Sequence, residues 1–310
     1  MIEGRPWRPD GLPQGPVVKI CGLTRLEDVL LARALGAWAL GFVFAPSPRR
    51  LTPSEARKLI NDAAAALQRG RAPSLPAGHR TGETSRARGE AASRGTGGSG
   101  SPLAVGVFGD VSAAEVARVV EQVGLDAVQL HGRAGPAPAE VRDALAGWAG
   151  PLALADARAA ASARAAENAS FFPFPPPLVV QVVPVPPDQV DLGVLRRAIA
   201  GAAAEADLVL LDTRTTGRLG GSGTTFPWRL AREVVEGKSF LVAGGIDPRN
   251  VQAALKESGA WGADVSSGIE SSAGAKDPRL LGQLLARVEA MRQATPGAAG
   301  MDERQEGLER

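Results

Sequence analysis

Residues 240–270 read F-L-V-A-G-G-I-D-P-R-N-V-Q-A-A-L-K-E-S-G-A-W-G-A-D-V-S-S-G-I-E. An apolar run, 240–243, ends in a glycine pair. Asp247 then stands where it can cap a helix over 248–258, and a second apolar run, 263–265, ends in Ser-Ser-Gly. This is strand, helix, strand. A connection of that length places the two strands parallel, with a right-handed crossover.

The same unit repeats along the chain. Strand-like runs fall at 17–21, 38–44, 103–108, 127–130, 178–183, 208–211, 240–243 and 263–265. Segments of helical period follow them at 26–35, 53–67, 113–123, 138–146, 192–204, 228–235, 248–258 and 278–290. Thr52 ahead of Pro53, and Ser112 with Glu115, are helix-start signals. Eight strand–helix pairs predict a single-domain α/β protein, a closed (β/α)₈ barrel rather than an open doubly wound sheet.

Three segments break the pattern. Residues 68–102 are rich in Gly, Ser, Arg, Thr and Ala, 151–177 are Ala-rich and end F-F-P-F-P-P-P, and 293–310 are polar. They read as a disordered insertion between the second helix and third strand, an Ala/Pro-rich insertion before the fifth strand, and a tail. The expected organisation is a disordered N-terminal segment over 1–16, a barrel over 17–292 carrying both insertions, and a C-terminal tail over 293–310. Without these additions about 214 residues remain, near the lower end of barrel sizes.

Composition narrows the function. The 310 residues include 38 Gly and 24 Pro but one Cys and no Tyr, and the net charge is +2. A single cysteine excludes an internal disulfide and a multi-thiolate metal site. The insertion at 68–102 carries six arginines and two glutamates, so the basic balance belongs to it and not to the barrel. It has no aromatic residue for base stacking, so no nucleic-acid partner is expected. No transmembrane or signal-like apolar segment is visible, so a cytoplasmic location and no membrane partner are expected.

In a (β/α)₈ barrel the reactive groups sit at the C-terminal ends of the strands. Those ends carry K-I-C-G-L-T (19–24), S-P-R-R (47–50), Q-L-H-G (129–132), L-D-T (211–213) with G-G-S-G (220–223), A-G-G-I (243–246) and D-V-S-S-G-I-E (264–270). From the residues alone, Cys21 is either a reactive thiol or a small buried hydrophobe. Lys19, two positions earlier, shares its face of the strand. Arg49 and Arg50 compete for the inward place, and Gln129 and His131 are in phase with each other. Gly244, Gly245, Ser266, Ser267 and Gly268 fall where barrels commonly bind phosphate.

These motifs, in this order, resemble the phosphoribosylanthranilate isomerase family of tryptophan biosynthesis, over roughly 17–291 outside the insertions. The resemblance implies an Amadori rearrangement of N-(5-phosphoribosyl)anthranilate to 1-(2-carboxyphenylamino)-1-deoxyribulose 5-phosphate. It also implies Cys21 as general base, Asp212 as general acid and Arg49 as the anchor of the anthranilate carboxylate. Lys19, Gln129 and His131 line the site, with His131 in a supporting role. Gly220, Gly221 and Gly223 join the phosphate loops.

As a base, Cys21 would gain thiolate from the positive charge of Lys19, and Asp212 must hold a proton near neutrality. No cofactor or metal is expected, because the iminium formed on ring opening is itself the electron sink. The expected partner is a small phosphosugar, with the protein a monomer or homodimer. One departure is Phe226-Pro227-Trp228, where the family has Asp in the middle position. The alternatives are the related Amadori isomerase of the histidine pathway, which would place Asp where Cys21 stands, and a silent phosphate-binding barrel.

Overall fold

A computed structural model describes residues 13, 15–70, 101–132, 134–146, 177–187, 190–213, 226–235 and 239–294. Most of the two predicted insertions, the tail at 295–310 and Gly220, Gly221 and Gly223 lie outside the described residues.

Eight parallel strands close into one ring in chain order: β1 (Val17–Ile20), β2 (Ala39–Val43), β3 (Leu103–Phe108), β4 (Ala127–Leu130), β5 (Leu178–Val185), β6 (Leu208–Thr213), β7 (Phe240–Ala243) and β8 (Gly262–Val265). The ring shuts between β1 and β8, with Val17 opposite Gly262 and Lys19 opposite Asp264. The helices alternate with them: α1 (Leu26–Ala34), α2 (Pro53–Gln68), α3 (Ala113–Val123), α4 (Pro138–Ala144), α5 (Leu192–Glu205), α6 (Arg229–Val234), α7 (Val251–Ser258) and α8 (Pro278–Ala294). The barrel predicted from the count of eight is the one observed. A short antiparallel hairpin, β9 (Glu270–Ser272) and β10 (Ala275–Lys276), lies between β8 and α8.

The strands read as continuous apolar runs because both faces are covered. Outward residues such as Val18, Ile20, Phe42, Val128, Val209 and Val242 pack with the helices in one large core. Inward residues form smaller clusters inside the ring: Val17, Val180, Leu208, Leu210 and Leu241 on one side, Ala39, Val105 and Ala127 on the other. Gly262 is needed where the ring shuts, since a side chain there would strike Val17 and Leu241.

Local chemistry explains the element ends. At α2, Thr52 Oγ1 accepts from Glu55 N–H at 3.3 Å while Glu55 Oε2 accepts from Thr52 N–H at 2.8 Å, with Pro53 in the first turn. At α3, Ser112 caps Glu115 N–H, but the Glu115 carboxylate turns to Arg118 instead of closing the reciprocal bond. The helix expected from 248 begins later, at Val251. Asp247 Oδ1 takes the N–H groups of Arg249 and Asn250 in a turn that precedes it. The last helix runs four residues beyond the expected 290. Pro227 stands just ahead of α6, which has no side-chain cap.

Among the described residues, no helix is long and apolar enough to cross a membrane. The 68–102 insertion leaves from the end of α2 and re-enters at the start of β3. Both junctions lie on the face opposite the C-terminal strand ends.

Candidate functional site at the C-terminal mouth of the barrel

Cys21 follows β1 directly, its backbone N–H held by Val265 C=O at 2.8 Å. Lys19 and Cys21 alternate in phase and both face the interior against Gly41 of β2. A methyl group on Gly41 would stand 3.0 Å from Lys19 Nζ and 3.1 Å from Cys21 Sγ. The absent side chain is what admits both groups. Lys19 is 1% exposed and donates to Asp264 Oδ1 at 2.9 Å. Asp264, which the motif contains without revealing its partner, is thus the counter-ion of this lysine. Burial opposes charge on Lys19, but Asp264 and Cys21 outweigh it and hold the ammonium above its usual pKa. For Cys21 the balance falls the other way. Burial pushes the thiol up, and the opposing pull of Lys19 and Lys276 does not cancel it. Lys19 favours the thiolate, as expected, but burial outweighs it and the thiol pKa is raised.

Arg49 lies over the next residue. Gly22 has φ +74°, and any side chain there would collide with Arg49 Cδ. Arg49 donates from Nε and Nη2 to the two carboxylate oxygens of Glu270, at 2.8 and 2.5 Å. Of the two adjacent arginines, Arg49 is the one brought to Cys21. Glu270 in turn accepts from Lys276 Nζ at 2.7 Å. Local pattern does not mark a role for Glu270 or Lys276: the partners of Glu270 are 221 and 6 residues away.

Across the mouth, Asp212 is the penultimate residue of β6, three strands from β1 around the ring. His131 Nε2 lies 3.2 Å from Asp212 Oδ2, with side-chain exposures of 11% and 24%. Asp207, just ahead of this strand, sits at the other end, where it accepts from Val179 N–H and pairs with Arg142. Gln129 is 3% exposed and faces the interior in phase with His131; among the described residues its Oε1 has no hydrogen-bond partner.

The loops after β7 and β8 approach each other closely. Gly244 and Gly245 have φ of +92° and +65°, a conformation that glycine adopts without strain. A side chain on Gly244 would come 2.5 Å from Thr213 Cβ, and one on Gly268 would strike Ile246 C=O. Ser266 Oγ stands 3.2 Å from where a side chain on Gly22 would begin, so this loop borders the Cys21 end of β1. Ser267 opens the short turn of helix 267–269.

Known proteins match this chain over most of its length. A family profile described as N-(5'-phosphoribosyl)anthranilate isomerase matches residues 80–153 and 178–287. The isomerase of that name from Rubrobacter xylanophilus is 32% identical over 265 residues, covering 85% of this chain and 94% of the relative. The one from Magnetococcus marinus is 31% identical over 91% of this chain and 97% of its own length. Among solved structures, the Thermus thermophilus isomerase superposes with a TM-score of 0.57 at 28% identity, over 89% of this chain and all of the other. A second, solved with reduced 1-(o-carboxyphenylamino)-1-deoxyribulose 5-phosphate, gives 0.53 at 25% identity over 89% and 99%. The strand-end motifs, the closed ring and these matches over most of the chain converge, and the chain belongs to the phosphoribosylanthranilate isomerase family.

Proposed function

We propose that Cys21 and Asp212 divide the proton transfers of the family's Amadori rearrangement, with N-(5-phosphoribosyl)anthranilate as substrate. Asp212, as a carboxylic acid, donates its proton to the ribose ring oxygen. The C1–O bond breaks, and the anthranilate nitrogen lone pair forms the iminium. The Cys21 thiolate then removes the proton on C2. The C2–H electron pair becomes the C1–C2 double bond, and the electrons of the iminium return to nitrogen. The resulting enaminol tautomerises to the ketose product. No electron leaves the substrate, so the chemistry asks only for an acid and a base on opposite sides of the sugar.

The observation that carries this reading is the packing of Lys19 Nζ and Cys21 Sγ together on Gly41, with Asp212 and His131 across the mouth. A thiolate formed beside Lys19 is a buried anion with a cation already in place. The raised pKa makes it a stronger base, at the cost of a smaller ionised fraction. His131 orients Asp212. Arg49 receives the ring carboxylate, for which a planar guanidinium is shaped. Gly244, Gly245, Ser266, Ser267 and Gly268 receive the phosphate, with Gly220, Gly221 and Gly223 of the β6 loop as further contributors. Gln129 lines the interior beneath.

The test is steady-state isomerisation by Cys21→Ala and Asp212→Ala. Each is expected to lose at least about 10²-fold in kcat, the size of an acid–base contribution, with an unchanged circular dichroism spectrum. A folded variant with near wild-type kcat removes that residue from its role.

A further inference from the structure

Neither Glu270 nor Lys276 gives or takes a proton in the proposed reaction, yet both are almost wholly buried, with side-chain exposures of 5% and 0%. Lys276 uses all three ammonium protons on fixed acceptors: Glu270 Oε1 at 2.7 Å, Cys21 C=O at 2.7 Å and Ser266 C=O at 3.2 Å. Its own N–H donates to the buried Asp28 at 3.0 Å. The β9–β10 hairpin that carries it is also fastened to the β1 loop by Thr24 Oγ1 donating to Gly274 C=O at 2.6 Å. Glu270 is therefore held rigidly on one side, and on the other it grips Arg49.

The manner of that grip matters. A guanidinium presents two forks to carboxylates, a side-on pair from Nε and Nη2 and an end-on pair from Nη1 and Nη2. Glu270 takes the side-on pair. Geometry leaves the end-on pair for a second carboxylate, and the Arg49 stem packs over Gly22. Charge supports the same direction. Glu270 alone would neutralise Arg49 and repel an incoming anion, whereas with Lys276 the trio keeps a net positive charge.

We infer that Glu270, secured by Lys276, is a positioning residue for substrate selection: it fixes Arg49 side-on so that the end-on fork is aligned in advance for the ring carboxylate of the arylamine. This rests on the reading of Arg49 given above. The device selects a carboxylated arylamine over a neutral one without touching the reacting atoms.

The test uses the full chain and two probes, the reduced product analogue with its ring carboxylate and the same compound without it. Their dissociation constants are measured by calorimetry, alongside steady-state kinetics, for wild type, Glu270→Gln, Arg49→Ala and the double variant. Glu270→Gln is expected to raise KM and lower the preference for the carboxylated probe, each about tenfold, while kcat stays within about twofold. Arg49→Ala is expected to abolish the preference, and adding Glu270→Gln to it should change nothing further.

Four results overturn the inference: an undiminished preference in Glu270→Gln, a tighter KM in that variant, a loss confined to kcat, or full additivity with Arg49→Ala. If Arg49→Ala itself keeps the preference, the anchor reading fails instead, and the two failures are distinct. Should Glu270→Gln not fold with Lys276 left unpaired, Glu270→Gln with Lys276→Met removes both charges. It is expected to show the same loss of preference, and retention overturns the inference.

Discussion

On the β1–β8 flank of the mouth, Lys19, Asp264, Glu270 and Lys276 have side-chain exposures of 1%, 7%, 5% and 0%, and each is ion-paired. On the β4–β6 flank, Asp212 and His131 keep 24% and 11% and meet at 3.2 Å. The difference matches the tasks proposed for the two sides. A thiolate generated away from water needs cations nearby: Lys19 and Lys276 favour it, while Asp264, which balances Lys19 as long as Cys21 is a thiol, opposes it. An acid that gives up its proton in every turnover must be reloaded, which suits a group closer to solvent.

The largest expected effects come from deleting one flank's central group. Cys21→Ala and Asp212→Ala should each cost about 10²- to 10⁴-fold in kcat, read by steady-state assay. Combining them should cost little more than the worse single change, because each step requires its own group.

Next in size is Lys19→Met, which leaves Asp264 buried and unpaired. Unfolding by denaturant should show a loss of about 3–5 kcal/mol, and adding Asp264→Leu should recover most of it. Neither variant should recover activity. The same change moves the Cys21 ionisation. Lys19 lowers the thiol pKa and Asp264 raises it, so removing the cation shifts the titration to higher pH. The chain has one cysteine and no tyrosine, so far-ultraviolet thiolate absorbance reports Cys21 alone. A shift to lower pH would contradict the pairing.

On the open flank the effect is smaller. His131→Gln should reduce kcat by about tenfold, the scale of losing one hydrogen bond that orients the acid, and less than Asp212→Ala does. A loss equal to that of Asp212→Ala would make His131 a proton donor in its own right.

Smallest of all is removal of residues 71–100, whose junctions lie on the far face of the barrel. The value of kcat/KM should stay within about twofold, the scale of changes far from the reacting groups.

What could be read in advance divides along the same line. Strands, helices and the inward phase of Lys19 with Cys21 follow from local periodicity, because strand alternation is a property of adjacent residues. The caps at Thr52 and Ser112 are likewise local. The pairings of the closed flank are not. Lys19 meets Asp264 across 245 residues, only because the ring shuts between β1 and β8 in that register. Arg49 meets Glu270 across 221 residues, through a hairpin too short to show a strand pattern. Lys276 carried one faint signal, a lysine between the apolar Ala275 and the helix-opening Asp277-Pro278. The direction of the Cys21 shift also escaped sequence reasoning, because burial depth is set by packing from several strands and not by the neighbouring lysine.

The division of labour between the flanks is tested most directly by single-turnover isomerisation of substrate deuterated at ribosyl C2. In Cys21→Ser, proton removal from C2 becomes limiting, and a full primary isotope effect is expected. In Asp212→Ala, ring opening becomes limiting, and the effect should fall to near unity. Equal isotope effects in the two variants, or the reverse order, would contradict the assignment of base to β1 and acid to β6.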